Sequence, residues 1–584
     1  MSKFRALGWV QDPADFRSLC DVVAIFDRNS PVHADLVKNI IPAIVNKEDG
    51  RDVLLKAMAE EPLKIRYRDL TGTSFSPRSS ARCNGIVQAA VKGQKQPFIS
   101  DWPANNFLRW AHALGFIKYD HNDDTFEITE QGLRLTTAER ENKKDISDNE
   151  KAILIEAMLS YPPAIRVLSL LEKEGAHLTK FEIGRQLGFV GEAGFSSFSQ
   201  DLYISTLAQT KNLKEKSKMR SDWEGSADKY ARMISGWLCD LGLLRQVVKE
   251  VTVRQCGETY TEKVFHSFVI TGNGRMALKN SGGNSKHKRV VKNVYYELFS
   301  CKAKDREYLR LRRALALKCI AAKKKEVVSL ADIQTYLKDN NLDETLETIA
   351  DDLQGLVNIG LNIEQISPDT YLFDDALSDF DIYIPARTEE SVLTKVKNQV
   401  RGQLTAITHE YLALIDLAYD GTQNRFFEMK TLEILTNECG FKGRHLGGSR
   451  KPDGIIFTDR LAADYGVIID TKAYADGYNL PISQADEMER YVRENQGRDS
   501  VVNANKWWEE FPASLENFHF MFVSGAFKGD FRKQLGRISR NTGVSGAALP
   551  IVSLLLCANA IREEKISLAD IRAKMFKNDE YVMS

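Results

Sequence analysis

The stretch His445-Leu446-Gly447-Gly448-Ser449-Arg450-Lys451-Pro452-Asp453-Gly454, followed by Tyr465-Gly466-Val467-Ile468-Ile469-Asp470-Thr471-Lys472-Ala473-Tyr474, carries the strongest structural signal in the chain. Pro452-Asp453 closes a glycine-rich loop and opens the apolar run Ile455-Ile456-Phe457. Asp470, Thr471 and Lys472 end the second apolar run, Val467-Ile468-Ile469. Residues two apart on a strand share a face, so Asp470 and Lys472 point the same way. If the two runs pair as neighbouring strands, Asp453 reaches the same pocket. Two carboxylates and one ammonium then converge, which costs free energy unless something bridges them.

A divalent cation bridges them well. Mg²⁺ favours one or two carboxylates, with waters and phosphate oxygens completing its octahedron. On this view Asp453 and Asp470 hold the ion and the Thr471 backbone carbonyl is an extra ligand. Lys472 orients or helps deprotonate a water that attacks phosphorus, and stabilises the charge that develops there. The spacing PD-x16-D-x-K resembles the signature of the PD-(D/E)xK nucleases. Each half also has an ordinary use, since Pro-Asp-Gly makes turns and D-x-K occurs in many strands. The helix expected from Arg425 to Cys439 carries Glu428, which on pattern alone is an exposed helix residue.

At 584 residues the chain exceeds one core, and about three or four domains are expected. Hydrophobic residues make up 43% and charged residues 27%, and the 80 basic and 80 acidic residues cancel, which excludes an indiscriminate nucleic-acid coat and leaves only local basic faces for DNA. No run approaches the roughly 20 apolar residues of a membrane helix. The start, MSKFRALGWVQDP, has no signal-peptide core, so a cytoplasmic protein is expected. The 8 cysteines show no C-x-x-C pairing and the 9 histidines no ligand spacing, which fits reduced thiols and argues against zinc.

One arrangement recurs three times. A helix ending Asn106 to Gly115-Phe116 precedes strand-like runs Phe116 to Tyr119 and Thr125 to Ile128. Tyr230 to Leu241, then Gly242-Leu243-Leu244, precedes runs near Gln246 to Arg254 and Val264 to Thr271. Ile349 to Ile359, then Gly360-Leu361, precedes Asn362 to Gln365 and Thr370 to Phe373. Helix, glycine stop, two-stranded wing is the outline of a winged helix, and three copies suggest a tandem of DNA-reading modules. The basic run Lys211 to Arg220 leads into Ser221-Asp222-Trp223-Glu224-Gly225, where the glycine suggests a turn. Ser226 or Asp228 would then cap a helix that presents Lys229 and Arg232. Such a pair suits guanine edges in the major groove, and equally a solvated basic face. Pro77-Arg78 and Ser100-Asp101-Trp102 place a cation and an aromatic ring near turns. Gly282 to Arg289 reads as a flexible basic linker and Asp374 to Glu390 as a second junction.

The expected architecture is multidomain: winged-helix α+β modules at 1–145, 146–285 and 286–373, a linker at 374–388, and an α/β PD-(D/E)xK nuclease domain with a central mixed sheet at 389–584. In the last, helices are expected at 409–420, 425–439, 483–496 and 530–540, and strands at 454–458, 465–473 and 517–524.

Read together, HLGGSRKPDG, YGVIIDTKAY, YNLPISQADEMERYV and FVSGAFKG resemble the cleavage domain of the FokI family of restriction endonucleases. GWVQ, FDRNS, FLRWAHALGF, SYPPAIR, HLTKF, WEGSADKYARMISGWL and RRALAL resemble that family's recognition half, in the same order along the whole chain. The resemblance implies a Mg²⁺-dependent type IIS enzyme that binds a short asymmetric double-stranded DNA site, GGATG-like, and cuts both strands at a fixed distance. It implies a cleavage domain held against the recognition modules until DNA binds and then dimerising transiently, and a protecting methyltransferase in a bacterial host. It implies catalytic roles for Asp453, Asp470 and Lys472. For base reading it implies Gln11, Arg78, Trp102, Trp223, Glu224, Lys229 and Arg232, and for the dimer interface Asp486 and Arg490. Those last two stand i, i+4, so they suit reciprocal pairs across a two-fold axis as well as a pair within one helix. Asp12 and Ser221 stand where the family pattern has Asn, which reads adenine through two hydrogen bonds as neither carboxylate nor hydroxyl does. Two other functions fit parts of the pattern: a non-catalytic winged-helix DNA-binding regulator, and a structure-specific repair nuclease with the same catalytic core.

Overall fold

The computed structural model describes residues 5–72, 82–139, 144–173, 177–255, 258–301, 306–384, 390–448, 450–458 and 464–583. The chain forms two compact units. One comprises Met1–Phe189, Lys229–Val248 and Phe265–Glu389; the other comprises Val190–Asp228, Lys249–Val264 and Glu390–Ser584.

The first unit repeats one motif three times. The helices Asp101–Ala113, Lys229–Asp240 and Leu346–Asn358 are each followed by strands of a three-stranded antiparallel sheet. The three sheets pair Ile117–Asp120 with Thr125–Ile128, Leu244–Gln246 with Ser267–Ile270, and Ile363–Ser367 with Thr370–Phe373. In each, a short strand from earlier in the chain completes the sheet: Ile65–Arg66, Leu178–Thr179 or Val327–Ser329. All three helices stop at a glycine with positive φ: Gly115 at 77°, Gly242 at 78° and Gly360 at 103°. The next amide reaches back five residues each time, Phe116 N to Ala111 O at 2.9 Å, Leu243 N to Leu238 O at 2.8 Å and Leu361 N to Leu356 O at 3.1 Å. That bond is the signature of a left-handed glycine stop, which satisfies carbonyls a helix end leaves bare. The first two copies also share a closing device. Thr129 and Thr271 cap the helix after the hairpin by accepting from Gly132 N and Gly274 N, both at 3.0 Å.

The segment Gly282 to Arg289 is tied rather than loose. The Asn284 side chain accepts from Lys286 N and His287 N at 2.9 Å, and Asn284 N donates to His287 O at 2.8 Å. Asparagine turn chemistry outweighed the glycine-and-charge composition that suggested a linker. The junction 385–389 lies outside the described residues.

The second unit is built on a six-stranded mixed sheet. Lys442–His445, Gly454–Thr458 and Tyr465–Lys472 run antiparallel, and Phe518–Ser524, Gly546–Pro550 and Asp579–Glu580 continue it in parallel. Tyr465–Lys472 is central and buried over its first seven residues. Val467 and Ile469 pack on one face with Phe427, Leu432 and Leu554, while Ile468 packs on the other with Met488, Val492 and Leu535. Each such side chain contributes about 1.5–3 kcal/mol of burial. A strand covered on both faces reads as a continuous apolar run, which is why Val467-Ile468-Ile469 was legible. Lys442–His445 was not, because its lysine, glycine and arginine carry no strand signal; it pairs with Gly454–Thr458 at the sheet edge.

Residues 146–285 do not form a contiguous body. Helix Gln200–Gln209 places Leu202 in the same core as Val467 and Met521, and among the described residues the hairpin Lys249–Gln255/Glu258–Val264 forms its own two-stranded sheet and packs on that helix. Buried apolar contacts, rather than chain order, set the grouping.

Candidate active site and nucleic-acid interface

The pairing of Gly454 with Ile469 brings Asp453 alongside Asp470 one step further on. Asp453 Oδ2 accepts from Thr471 N at 2.7 Å and from the Thr471 hydroxyl at 3.0 Å. Thr471 therefore orients Asp453. Lys472 Nζ lies 2.9 Å from Asp470 Oδ1 and 2.9 Å from Oδ2. The Asp453 carboxyl stands close enough to act on the charge of Asp470. Asp470, Lys472 and Ile468 share the face that the Ile482–Gly497 helix covers.

The electrostatics are unbalanced. Burial first, and then the charge of Asp453, push the Asp470 carboxyl well above the ordinary carboxylate range, and Lys472 offsets only part of this. Burial works against the Lys472 ammonium, but Asp470, Asp453 and Glu487 outweigh it and raise its pKa. Several carboxylates face one ammonium, a deficit of positive charge that a hard cation would fill. Among the described residues no group of three or more His, Cys, Asp or Glu is arranged to hold a metal. Two carboxylates are nevertheless the usual protein share of a Mg²⁺ site, so the donor set fits.

Four side chains around this centre escaped pattern reading. Glu428 is not a free helix carboxylate: His445 Nε2 lies 3.1 Å from Glu428 Oε2, and His445 is buried on the strand beside the Pro452-Asp453 loop. Tyr478 is 1% exposed, and its hydroxyl is buried without a hydrogen-bond partner. Glu487 Oε1 accepts from the Tyr491 hydroxyl at 3.0 Å, and that hydroxyl lies 2.8 Å from Lys451 O. Glu487 and Tyr491 stand i, i+4 inside YNLPISQADEMERYV, a spacing that could have flagged them.

Asp486 and Arg490 share that helix but do not pair with each other. Arg537 Nη2 holds Asp486 Oδ1 at 2.6 Å, while Arg490 Nη2 donates to Glu487 Oε1 at 3.1 Å and Arg490 Nε lies 3.7 Å from Glu494. Both line an open groove of about 480 Å³ along the helix, with Glu489 and Arg493.

The residues expected to read bases divide between the units. In the first unit, Gln11 Nε2 donates to the Tyr230 hydroxyl at 3.1 Å and Trp237 Nε1 donates to Pro13 O at 2.8 Å. This straps Asp12 onto the Lys229–Asp240 helix, where its charge acts on Arg232, whose pKa burial lowers. Lys229 is exposed on the same helix. Trp102 lies under the Arg109 guanidinium at 5.8 Å, and Arg109 feels the Tyr230 side chain. Gln11, Asp12, Trp102, Lys229 and Arg232 are thus tied into one neighbourhood. Arg78 lies outside the described residues.

Ser221, Trp223 and Glu224 lie in the second unit, on the helix Leu213–Ser226. Ser221 is exposed. The expected turn at Gly225 is helical, Ser226 ends this helix instead of starting the next, and Asp228 sits at φ 49° between the two. Trp223 is 0% exposed and Glu224 4%, so in this conformation neither presents itself to a base edge. Trp223 packs against Tyr203 and His445 at 5.3 and 5.9 Å, with the Arg425 guanidinium 5.6 Å from its ring. Glu224 Oε1 accepts from the Tyr203 hydroxyl at 2.7 Å. In this conformation the indole is packed and the carboxylate is hydrogen-bonded inside the unit.

A two-carboxylate, one-lysine centre on a mixed sheet, in one chain with repeated helix–hairpin units, defines a restriction-endonuclease-like class of protein. Models of the FokI cleavage domain match residues 390–582, and those of its recognition subdomains 1 and 2 match residues 5–138 and 150–286; the FokI D3 domain matches residues 299–367. The chain belongs to the FokI family. It is 45% identical to the type II restriction enzyme FokI of Planomicrobium okeanokoites over 99% of each chain. It is 33% identical to the type II restriction enzyme StsI of Streptococcus sanguinis, covering 97% of this chain and 94% of that one. The solved structures of FokI alone and of FokI bound to DNA match with TM-scores of 0.90 and 0.91, at 44% identity over 99% of each chain.

Proposed function

We propose that this protein is a type IIS restriction endonuclease of the FokI family: it binds a short asymmetric site on double-stranded DNA and hydrolyses both strands at a fixed distance from it. The observation that carries this is the Asp453–Asp470–Lys472 centre, within a family match that spans the chain. Asp453, Asp470 and the Thr471 carbonyl would hold Mg²⁺, which supplies stabilisation of charge on the phosphoryl group when bound. Thr471 N–H and hydroxyl hold Asp453 in place. Lys472, fixed by Asp470, orients the attacking water and stabilises negative charge developing on phosphorus.

The helix–hairpin units are proposed as winged-helix modules, with Gln11, Asp12, Trp102, Lys229 and Arg232 facing DNA, and Arg78, Ser221, Trp223 and Glu224 joining them on binding. A GGATG-like site is the leading assignment, with Asp12 and Ser221 free to change preference at one or two positions. One centre cuts one strand, so two cleavage domains pair through Asp486 and Arg490. A bacterial cytoplasm with a protecting methyltransferase is the proposed setting. No single helix among the described residues is long and apolar enough to cross a membrane.

The test is digestion of a random-sequence plasmid library with Mg²⁺, with both fragment ends sequenced. One asymmetric motif at constant distance from staggered ends is expected. Specific binding without cuts would point to a regulator, and cuts without a motif would leave only the nuclease centre.

A further inference from the structure

A continuous chain of side chains runs from the outer face of the Ile482–Gly497 helix to the loop that ends at Asp453. Arg490 Nη2 donates to Glu487 Oε1 at 3.1 Å, and the same oxygen accepts from the Tyr491 hydroxyl at 3.0 Å. The Tyr491 hydroxyl lies 2.8 Å from Lys451 O, the carbonyl that precedes Pro452-Asp453. Gln484 Nε2 holds the other Glu487 oxygen at 3.3 Å. The two ends differ in exposure: the Arg490 side chain is 39% exposed and Tyr491 is 4%. Arg490 belongs to the groove face proposed to meet a second copy, whereas the Tyr491 ring is wedged against Trp507 at 6.0 Å and cannot swing freely. A phenol has one proton, so it commits it either to Glu487 or to Lys451 O. Whatever changes the hold of Arg490 on Glu487 therefore changes the hold of Tyr491 on the Asp453 loop.

We infer that Glu487 and Tyr491 are positioning residues for strand cleavage, which convey the state of the dimer-forming Arg490 to the loop that places Asp453. The inference rests on the proposed nuclease centre and its dimerisation through Arg490. In it, pairing of two cleavage domains does more than bring two centres together. It draws Arg490 away from Glu487, leaves the Glu487 oxygen that Arg490 held to accept from Tyr491 without a competitor, and so sets the height of Lys451 O and with it Asp453. The charge of Glu487 also adds, as the smallest contribution, to the field that holds the Lys472 ammonium.

The experiment is single-turnover cleavage of site-bearing duplex DNA with Mg²⁺ by the full-length protein, over a rising enzyme concentration, beside equilibrium DNA binding. Tyr491→Phe keeps the ring and removes only the hydroxyl. It is expected to lower the cleavage rate at saturating enzyme by about tenfold to a hundredfold, the scale of a misplaced catalytic group, with DNA affinity within about twofold. Glu487→Ala is expected to do the same, and Glu487→Gln, whose amide oxygen still accepts from Tyr491, to recover part of the rate. Arg490→Ala is expected to behave differently, its deficit shrinking as enzyme concentration rises. Wild-type rates for Tyr491→Phe at saturating enzyme would overturn the inference, as would a deficit that concentration removes. The controls keep the underlying proposal separate: a wild-type protein that does not cut, or an Asp470→Ala variant that cuts normally, would sink the nuclease centre itself.

Discussion

Asp470, the residue proposed to hold the metal, is placed at the expense of the fold. The residue is 4% exposed, feels the charge of Asp453, and has the Lys472 ammonium beside it. Removing its charge relieves that repulsion when no cation is bound. Asp470→Asn should abolish cleavage, leave DNA affinity within a few fold, and raise the melting temperature of the metal-free protein by about 2–4 °C, as about 1 kcal/mol would in a domain of this size. Lys472→Ala should abolish cleavage equally but lower the melting temperature, since it strips the buried carboxylates of their counter-charge. Calorimetry with added chelator beside a cleavage assay checks both. A metal-free Asp470→Asn protein less stable than wild type would contradict the electrostatic account.

At the scale of the element, the three glycine stops are equivalent in sequence but not in surroundings. A Cβ on Gly242 would meet nothing within 4 Å, whereas one on Gly360 would come 2.0 Å from Pro162 O. Gly242→Ala should therefore cost only the left-handed backbone, about 1–2 kcal/mol. Gly360→Ala should cost distinctly more, because a main-chain carbonyl has no room to yield. Thermal melts of the two variants test the ranking. A second element-scale effect concerns pH. Strand Phe518–Ser524 carries His519, stacked on Phe576 at 4.2 Å, and burial lowers its pKa from the usual 6.5 to about 4. The fold keeps this imidazole neutral while the unfolded chain protonates it. Its contribution is therefore whole above about pH 6.5 and fades as pH falls toward 4. His519→Phe should show a smaller loss of melting temperature than wild type between about pH 7.5 and about pH 5.

At the scale of the whole molecule, the second unit carries both the proposed cleavage centre and a piece of the recognition half. The helix bearing Trp223 packs on the helix and strand that carry Arg425 and His445, and Lys451 Nζ lies 3.6 Å from Glu215 of the same helix. The Arg537–Asp486 pair is partly exposed at both ends, 30% and 58%, and such pairs contribute about 0–1 kcal/mol, so giving it up for Arg490 of a second copy, as the proposed dimer requires, costs little. Arg490→Asp should suppress double-strand cutting, and mixing it with an Asp486→Arg protein should restore part of it, as gel analysis of nicked and linear plasmid would reveal. Failure of the mixture to cut better than either protein alone would exclude the reciprocal pairing.

The convergence of Asp453, Asp470 and Lys472 was legible from the chain because its order is local. Pro-Asp opens one apolar run and Asp-x-Lys ends the next; strand periodicity puts Asp470 and Lys472 on one face, and the pairing of the two neighbouring strands adds Asp453. The three glycine stops were legible for the same reason: a helix C-terminus writes its end into a single residue. What escaped depends on contacts between segments far apart. Glu428 meets His445 and Tyr491 meets Lys451 only because the sheet and its covering helices bring them there. Trp223 and Glu224, which the family resemblance assigns to base reading, are buried here, because 190–228 packs its apolar side chains with the mixed sheet. Side-chain patterns thus determined which chemistry the chain holds. Tertiary packing decided which of those side chains are presented, because burial is a property of the neighbours a residue meets and not of its own identity.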